Sequence, residues 1–242
     1  MKCIIVFIFC LPLLLNAQVS KIVYDHTVSW SKIVRSLPYL SKEEKDRISL
    51  TWGKDENEPT KYILAYDKSQ ATYQLDFDNL PVQEYHWKRE KMLIHTNLIE
   101  KRRLDNIEVL GKAFIFDDNV PKIKWKILNE IKEVSGYVCM KAETIDTIKN
   151  QKIIAWFTYE IPVSLGPESF GGLPGLILEI NKNDGCAVIT ATSITLNSIA
   201  TPLVIPKKKG KKMTNEKYDI FLSNHIKESI ASNRNPYWSI HY

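Results

Sequence analysis

Apolar and polar residues alternate along most of this chain, the pattern of strands that bury one face and expose the other. Ile22, Tyr24, Val28 and Trp30 share one parity. Tyr73, Leu75 and Phe77 alternate with Thr72, Gln74 and Asp76, and Asp67-Lys68-Ser69-Gln70 forms a turn after Tyr62 to Tyr66, so these segments predict a hairpin. Further strands are predicted over 90–98, 107–116, 122–131, 136–144 and 152–161. Their spacing predicts a meander. The pattern changes at Leu176-Ile177-Leu178, three consecutive apolar residues that predict a strand over 175–181 covered on both faces. Asn183-Asp184-Gly185 then turns the chain into a last strand over 186–196, because these residue types tolerate positive φ.

Two segments follow helical periods instead. Ser41-Lys42-Glu43-Glu44 matches a capping box, in which Ser and Glu side chains satisfy orphan backbone donors at a helix start. A second helix over 214–231 places Tyr218, Phe221, Leu222, His225 and Ile226 on one face, predicted to dock on the sheet. Between strands and helix, 202–212 carries Pro206, Gly210 and a lysine run, the composition of an exposed basic connector. The aromatic tail Pro236 to Tyr242 is predicted to pack or to bind something. The fold expected is mainly β (α+β), a curved antiparallel sheet or incomplete barrel with a short helix in the N-terminal half and a C-terminal helix packed against it.

Lys2 precedes an apolar run from Ile4 to Leu15, too short to span a bilayer, and polar sequence begins at Asn16. This predicts a signal peptide over 1–17 and a single domain over 18–242, periplasmic or secreted, with no transmembrane segment after cleavage. A chain of this size buries roughly 70–75% of its unfolded surface, enough for one core without disulfides or metals. The formal net charge of +5 implies no particular partner, and export argues against nucleic acid. Cys139 and Cys186 remain after processing, and an oxidising compartment permits them to pair. The alternative is two buried thiols acting as small hydrophobes on separate strands.

The segment Gly166-Pro-Glu-Ser-Phe-Gly-Gly-Leu-Pro-Gly175 brackets Phe170 and Leu173 with four glycines and two prolines. Such a loop turns tightly while it holds two large apolar groups in definite positions. Phe170, Leu173 and Pro174 are therefore the candidate binding residues, against the alternative of a rigid turn that closes the core. Gly172-Leu-Pro-Gly-Leu-Ile177 resembles the signature of the GLPGLI family, exported proteins known mainly from Bacteroidetes. Trp125, Gly136 to Ala142, and Ala155 to Thr158 followed by Ile161-Pro162 are similar to that family's other blocks. The family is uncharacterised, so the resemblance implies an exported, strand-rich protein and carries over no catalytic residue.

Catalytic chemistry finds little support in the residue pattern. Gly166-Pro-Glu-Ser169-Phe-Gly171 has one residue too many for a nucleophile elbow. Cys139 and Met140 suit copper by type, yet neighbours on a strand face opposite ways. Glu84 and His86 have same-face spacing with His95 nearby, and Glu160, Glu168 and Glu179 could supply paired carboxylates. The lysines of 207–212 could meet anionic lipid. The expectation is a non-enzymatic envelope protein without cofactor that binds an apolar ligand or an envelope partner, with a periplasmic hydrolase or copper-handling protein as the alternative.

Overall fold

The computed structural model describes residues 18–52, 59–77, 91–199, 203, 205–207 and 210–242. The predicted signal peptide, and with it Cys3 and Cys10, lies outside the described residues, as do Glu84 and His86. One open, curved 12-stranded sheet organises the rest. Its strands are β1 (Gln18–Val28), β2 (Thr60–Tyr66), β3 (Gln70–Leu75), β4 (Met92–Asn97), β5 (Arg102–Val109), β6 (Lys112–Asn119), β7 (Lys126–Val134), β8 (Tyr137–Asp146), β9 (Gln151–Thr158), β10 (Leu176–Lys182), β11 (Ala187–Ile199) and β12 (Lys211–Met213). The spatial order β12-β6-β5-β4-β3-β2-β1-β11-β10-β9-β8-β7 is two meanders joined where β1 pairs with β11. All pairings are antiparallel except β12 with β6.

Register explains why one face becomes the core. Tyr24 lies opposite Tyr62, Leu64 opposite Tyr73, and Tyr73 opposite Ile94, so alternate residues of four neighbouring strands converge. Tyr62 and Tyr73 stack at 5.2 Å between ring centroids, and Tyr24 meets Tyr73 edge-on at 6.3 Å. β10 lies between β9 and β11 with Leu176, Ile177 and Leu178 all fully buried, as its apolar run predicts.

Among the described residues, three α-helices accompany the sheet: α1 (Trp30–Ser36), α2 (Lys42–Trp52) and α3 (Asn215–Ala231). At the start of α2 the Ser41 N–H donates to the Glu44 carboxylate at 2.8 Å, and the Glu44 N–H donates back to Ser41 Oγ at 3.2 Å, a complete capping box. In α3, Leu222 and Ile226 are buried, and Tyr218 and Phe221 pack on Phe116 and Phe114 of β6. The aromatic tail packs as well, with Ile240 and Tyr242 buried and Trp238 exposed.

Several local predictions need correction. The strand expected over 107–116 is two strands, because Leu110 and Gly111 both take positive φ (52° and 68°) and reverse the chain. The first strand stops at Val28, and Trp30 starts α1. Phe77 lies beyond the end of β3 and is exposed. Part of the basic connector is ordered as the edge strand β12, held by its backbone against Phe114, Ile115 and Phe116.

Candidate functional site

Residues 159–175 connect β9 to β10 and cross the face that carries the core. One close backbone approach and one left-handed residue shape this loop. A Cβ at Gly175 would lie 2.0 Å from the Thr158 carbonyl oxygen, and Gly172 takes φ +87°. The Leu176 N–H donates to Ile161 O and the Ile177 N–H to Leu165 O, both at 2.9 Å, so the loop runs back along β10. Trp125 Nε1 donates to Gly171 O at 2.8 Å, and the Gly172 N–H donates to Ser164 Oγ at 2.9 Å. The loop is therefore pinned at both ends and at its tip.

Beneath it lies a cavity of about 680 Å³, within the range of small-molecule sites. Its apolar wall comes from Leu64, Ala71, Ile94 and Leu98 on one side and Leu165 and Phe170 on the other. Phe170 leans on Trp125, with ring centroids 6.2 Å apart. Leu173 is buried in the core, Pro174 is exposed, and neither lines the cavity. Of the three candidate binding residues, the structure thus places Phe170 at the cavity wall. Trp125 and Trp156, which lie in blocks that resemble the family's, are half-buried.

Two buried ion pairs adjoin the cavity, and the sequence reading anticipated neither. In the first, Lys182 Nζ donates to both oxygens of Glu168 (3.0 and 2.9 Å) and to the Tyr242 carbonyl at 2.7 Å. The same ammonium stands 5.7 Å from the centroid of Phe170. Burial alone would raise the Glu168 carboxyl, but Lys182 and then His26 hold it down to about 2. His26 and His241 flank the pair, and burial lowers both to about 4 despite the opposing pull of Glu168. Glu168 also takes φ +54°, a strained conformation for a residue with a side chain.

The second pair joins neighbours of one parity on β5. Arg103 donates through Nε at 2.8 Å, and through Nη2, to the same Asp105 oxygen, Oδ2. Asp105 is fully buried and Arg103 is 8% exposed, yet Arg103 Nη1 and Asp105 Oδ1 have no hydrogen-bond partner among the described residues. Burial raises the Asp105 carboxyl, against the lowering effect of Arg103. Arg103 lines the cavity, and the exposed Lys101 and Lys122 stand at its rim.

The other predicted chemical groups are dispersed. Cys139 on β8 and Cys186 in the β10–β11 turn are free, buried thiols in separate apolar clusters, and burial raises Cys139 to about 11. Glu160 accepts from the Val138 N–H and Glu179 from Lys132, so the three candidate carboxylates do not converge. His95 bonds Gln70. Among the described residues, no group of three or more His, Cys, Asp or Glu could hold a metal ion, and no helix is long and apolar enough to cross a membrane. Arg103-Leu-Asp105 has the spacing of same-face polar residues on a strand, which was the available signal for the second pair. Lys182 shares parity with Ile180, the corresponding signal for the first.

Comparison with known proteins gives a local family match and a likeness of fold. The profile of a family described as "Protein of unknown function (Porph_ging)" matches residues 143–179, which span β9, the loop and most of β10. No curated protein matches the chain. PNGF-II in its P21 crystal form is similar in fold, with a TM-score of 0.56 and 17% identity over 85% of this chain. The C2 form gives 0.54 and 18% over 85%. In both, the chain spans 33% of the PNGF-II chain. The shared feature is therefore a strand-rich fold whose loop-bearing segment matches a family of unknown function.

Proposed function

We propose that this is an exported cell-envelope protein that binds an apolar ligand in the cavity beneath the 159–175 loop. The observation that carries this reading is the cavity itself, a half-open space between the face of β2–β5 and a loop that the fold holds in place by hydrogen bonds and an ion pair. Binding without chemistry agrees with the dispersal of the candidate carboxylates and thiols. The Lys2-led apolar run supports export and cleavage near Ala17, with 18–242 as a single domain. The hexapeptide Gly172 to Ile177 falls inside the span matched by the family profile, which supports kinship with the GLPGLI proteins.

The test uses a neutral apolar probe, N-phenyl-1-naphthylamine, whose fluorescence rises in apolar surroundings. The mature protein should bind it saturably. Thr96→Trp places a large side chain on a strand position that lines the cavity, opposite Ala71 and Arg103, and should weaken binding at least tenfold. Equal binding by parent and variant, at matched thermal stability, would place the probe elsewhere and reject the reading.

A further inference from the structure

We propose that the cavity selects anionic amphiphiles, with Arg103 receiving the acidic headgroup at the cavity wall. This inference rests on the cavity being a ligand site, as argued above. A buried guanidinium needs acceptors for all its N–H groups, because each one left unpaired carries a desolvation cost. Asp105 takes only one edge of Arg103, through Nε and Nη2, and Nη1 has no acceptor among the described residues. Arg103 is more than nine-tenths buried and lines the cavity, and although Nη1 itself is covered, a small turn of the guanidinium toward the lumen would let an acceptor supplied by a ligand complete it.

The surrounding charge points the same way. Lys101 and Lys122 stand exposed at the rim and form no ion pair with the described residues, a field that attracts an anion and orients its entry. The acidic residue in the cavity lining is Glu168, and Lys182 already neutralises it. An incoming carboxylate or phosphate therefore meets one buried and two exposed cations without an uncompensated like charge. Behind the guanidinium, Asp105 engages only Nε and Nη2, which leaves the other edge of Arg103 to offer. The apolar walls from Leu64, Ile94, Leu98 and Phe170 accept a hydrocarbon tail. The chemical class is thus a single-chain amphiphile with an acidic head, and whether that head is a carboxylate or a phosphate is distinguished below.

The experiment compares dodecanoate, dodecyl phosphate and dodecanol as competitors of the neutral naphthylamine probe. Dodecanol supplies the same tail without charge. The expected result is at least tenfold tighter competition by one or both anions, an advantage that shrinks with added salt. The better anion names the headgroup. Arg103→Gln with Asp105→Asn removes the buried pair without leaving a lone carboxylate, and it should bring the anions down to the affinity of dodecanol while probe binding persists. Equal competition by all three ligands in the parent overturns the proposal and leaves the cavity reading intact. An anion preference that survives in the double variant and vanishes in Lys101→Gln/Lys122→Gln assigns it to the rim alone and overturns the role of Arg103. Failure of the parent to bind even the neutral probe rejects both.

Discussion

The two buried ion pairs beside the cavity differ in how completely they are satisfied. Lys182 has three acceptors, two from Glu168 and one from Tyr242, and so ties the loop and the tail to β10. Arg103 and Asp105 each retain an orphan atom, and their bond joins residues two apart on one strand, tying nothing distant together. A saturated pair that bridges remote segments serves the fold. An unsaturated one at a cavity wall is costly to folding and leaves hydrogen-bonding capacity beside the cavity. Each pair joins one cation to one carboxylate, so what separates them is how many acceptors and donors are satisfied and what the bond ties together.

The largest effect is expected from Lys182→Met. It leaves Glu168, an acid held ionised down to about 2, without its partner in a 14% exposed position. The loss should be about 3–5 kcal/mol in urea unfolding, and Lys182→Met/Glu168→Leu should recover much of it because no lone charge remains. A single variant as stable as the parent would show that the pair is not a structural tie.

Acid should act next, and mainly at the Glu168 end. Unfolded histidine takes up a proton near 6.5, whereas His26 and His241 do so only at about 4 in the folded state. The unfolded state therefore binds more protons through that window, so stability is full above pH 6.5 and declines as pH falls toward 4. Each unit of separation is worth at most about 1.4 kcal/mol per histidine. Burial sets these values first; Glu168 opposes the shift, and Lys182 and Lys149 reinforce it. Glu168 adds its own loss below about pH 4, as its carboxylate is titrated toward about 2. Asp105 works in reverse, since a folded acid with a raised value gains stability as pH falls. Melting temperatures from pH 7 to 4 should drop steeply in the parent and less steeply in His26→Gln/His241→Gln. An unchanged slope would remove the histidines from the account.

Arg103→Met should cost less than Lys182→Met, about 1–3 kcal/mol, because Asp105 is already pushed toward protonation and can shed its charge when its partner goes. Chemical denaturation at pH 7 measures it. A loss as large as that of Lys182→Met would erase the distinction between the two pairs.

How much of this was legible in the chain follows from the range of the interactions. Local signals read correctly where they act within a few residues, as at the Ser41 capping box and the Asn183-Asp184-Gly185 turn, whose three residues all take positive φ. The Leu110-Gly111 turn was missed because leucine disfavours positive φ and gives no turn signal. β12 was missed because a short edge strand held by its backbone needs no apolar pattern. The loop itself stood out, but its chemistry did not, since Glu168 gains meaning only from Lys182, 14 residues on, and from His26 and Tyr242, brought in from both ends of the described chain. Arg103 is informative only through an acceptor it lacks, and no pattern of residues reports that.

The smallest effect tests whether the loop is an independent wall of the cavity. Trp125→Phe keeps an aromatic ring beside Phe170 and removes the Nε1 donor to Gly171 O, which water can partly replace because Trp125 is half-buried. The expected cost is about 0.5–1.5 kcal/mol. Hydrogen exchange should locate that cost, with faster exchange over residues 160–175 and unchanged protection in β2 to β5. If protection falls equally in β2 to β5, the loop and the sheet beneath it open as one unit. The saturated pair would then hold the whole face together, and the contrast with Arg103–Asp105 would reduce to one of strength.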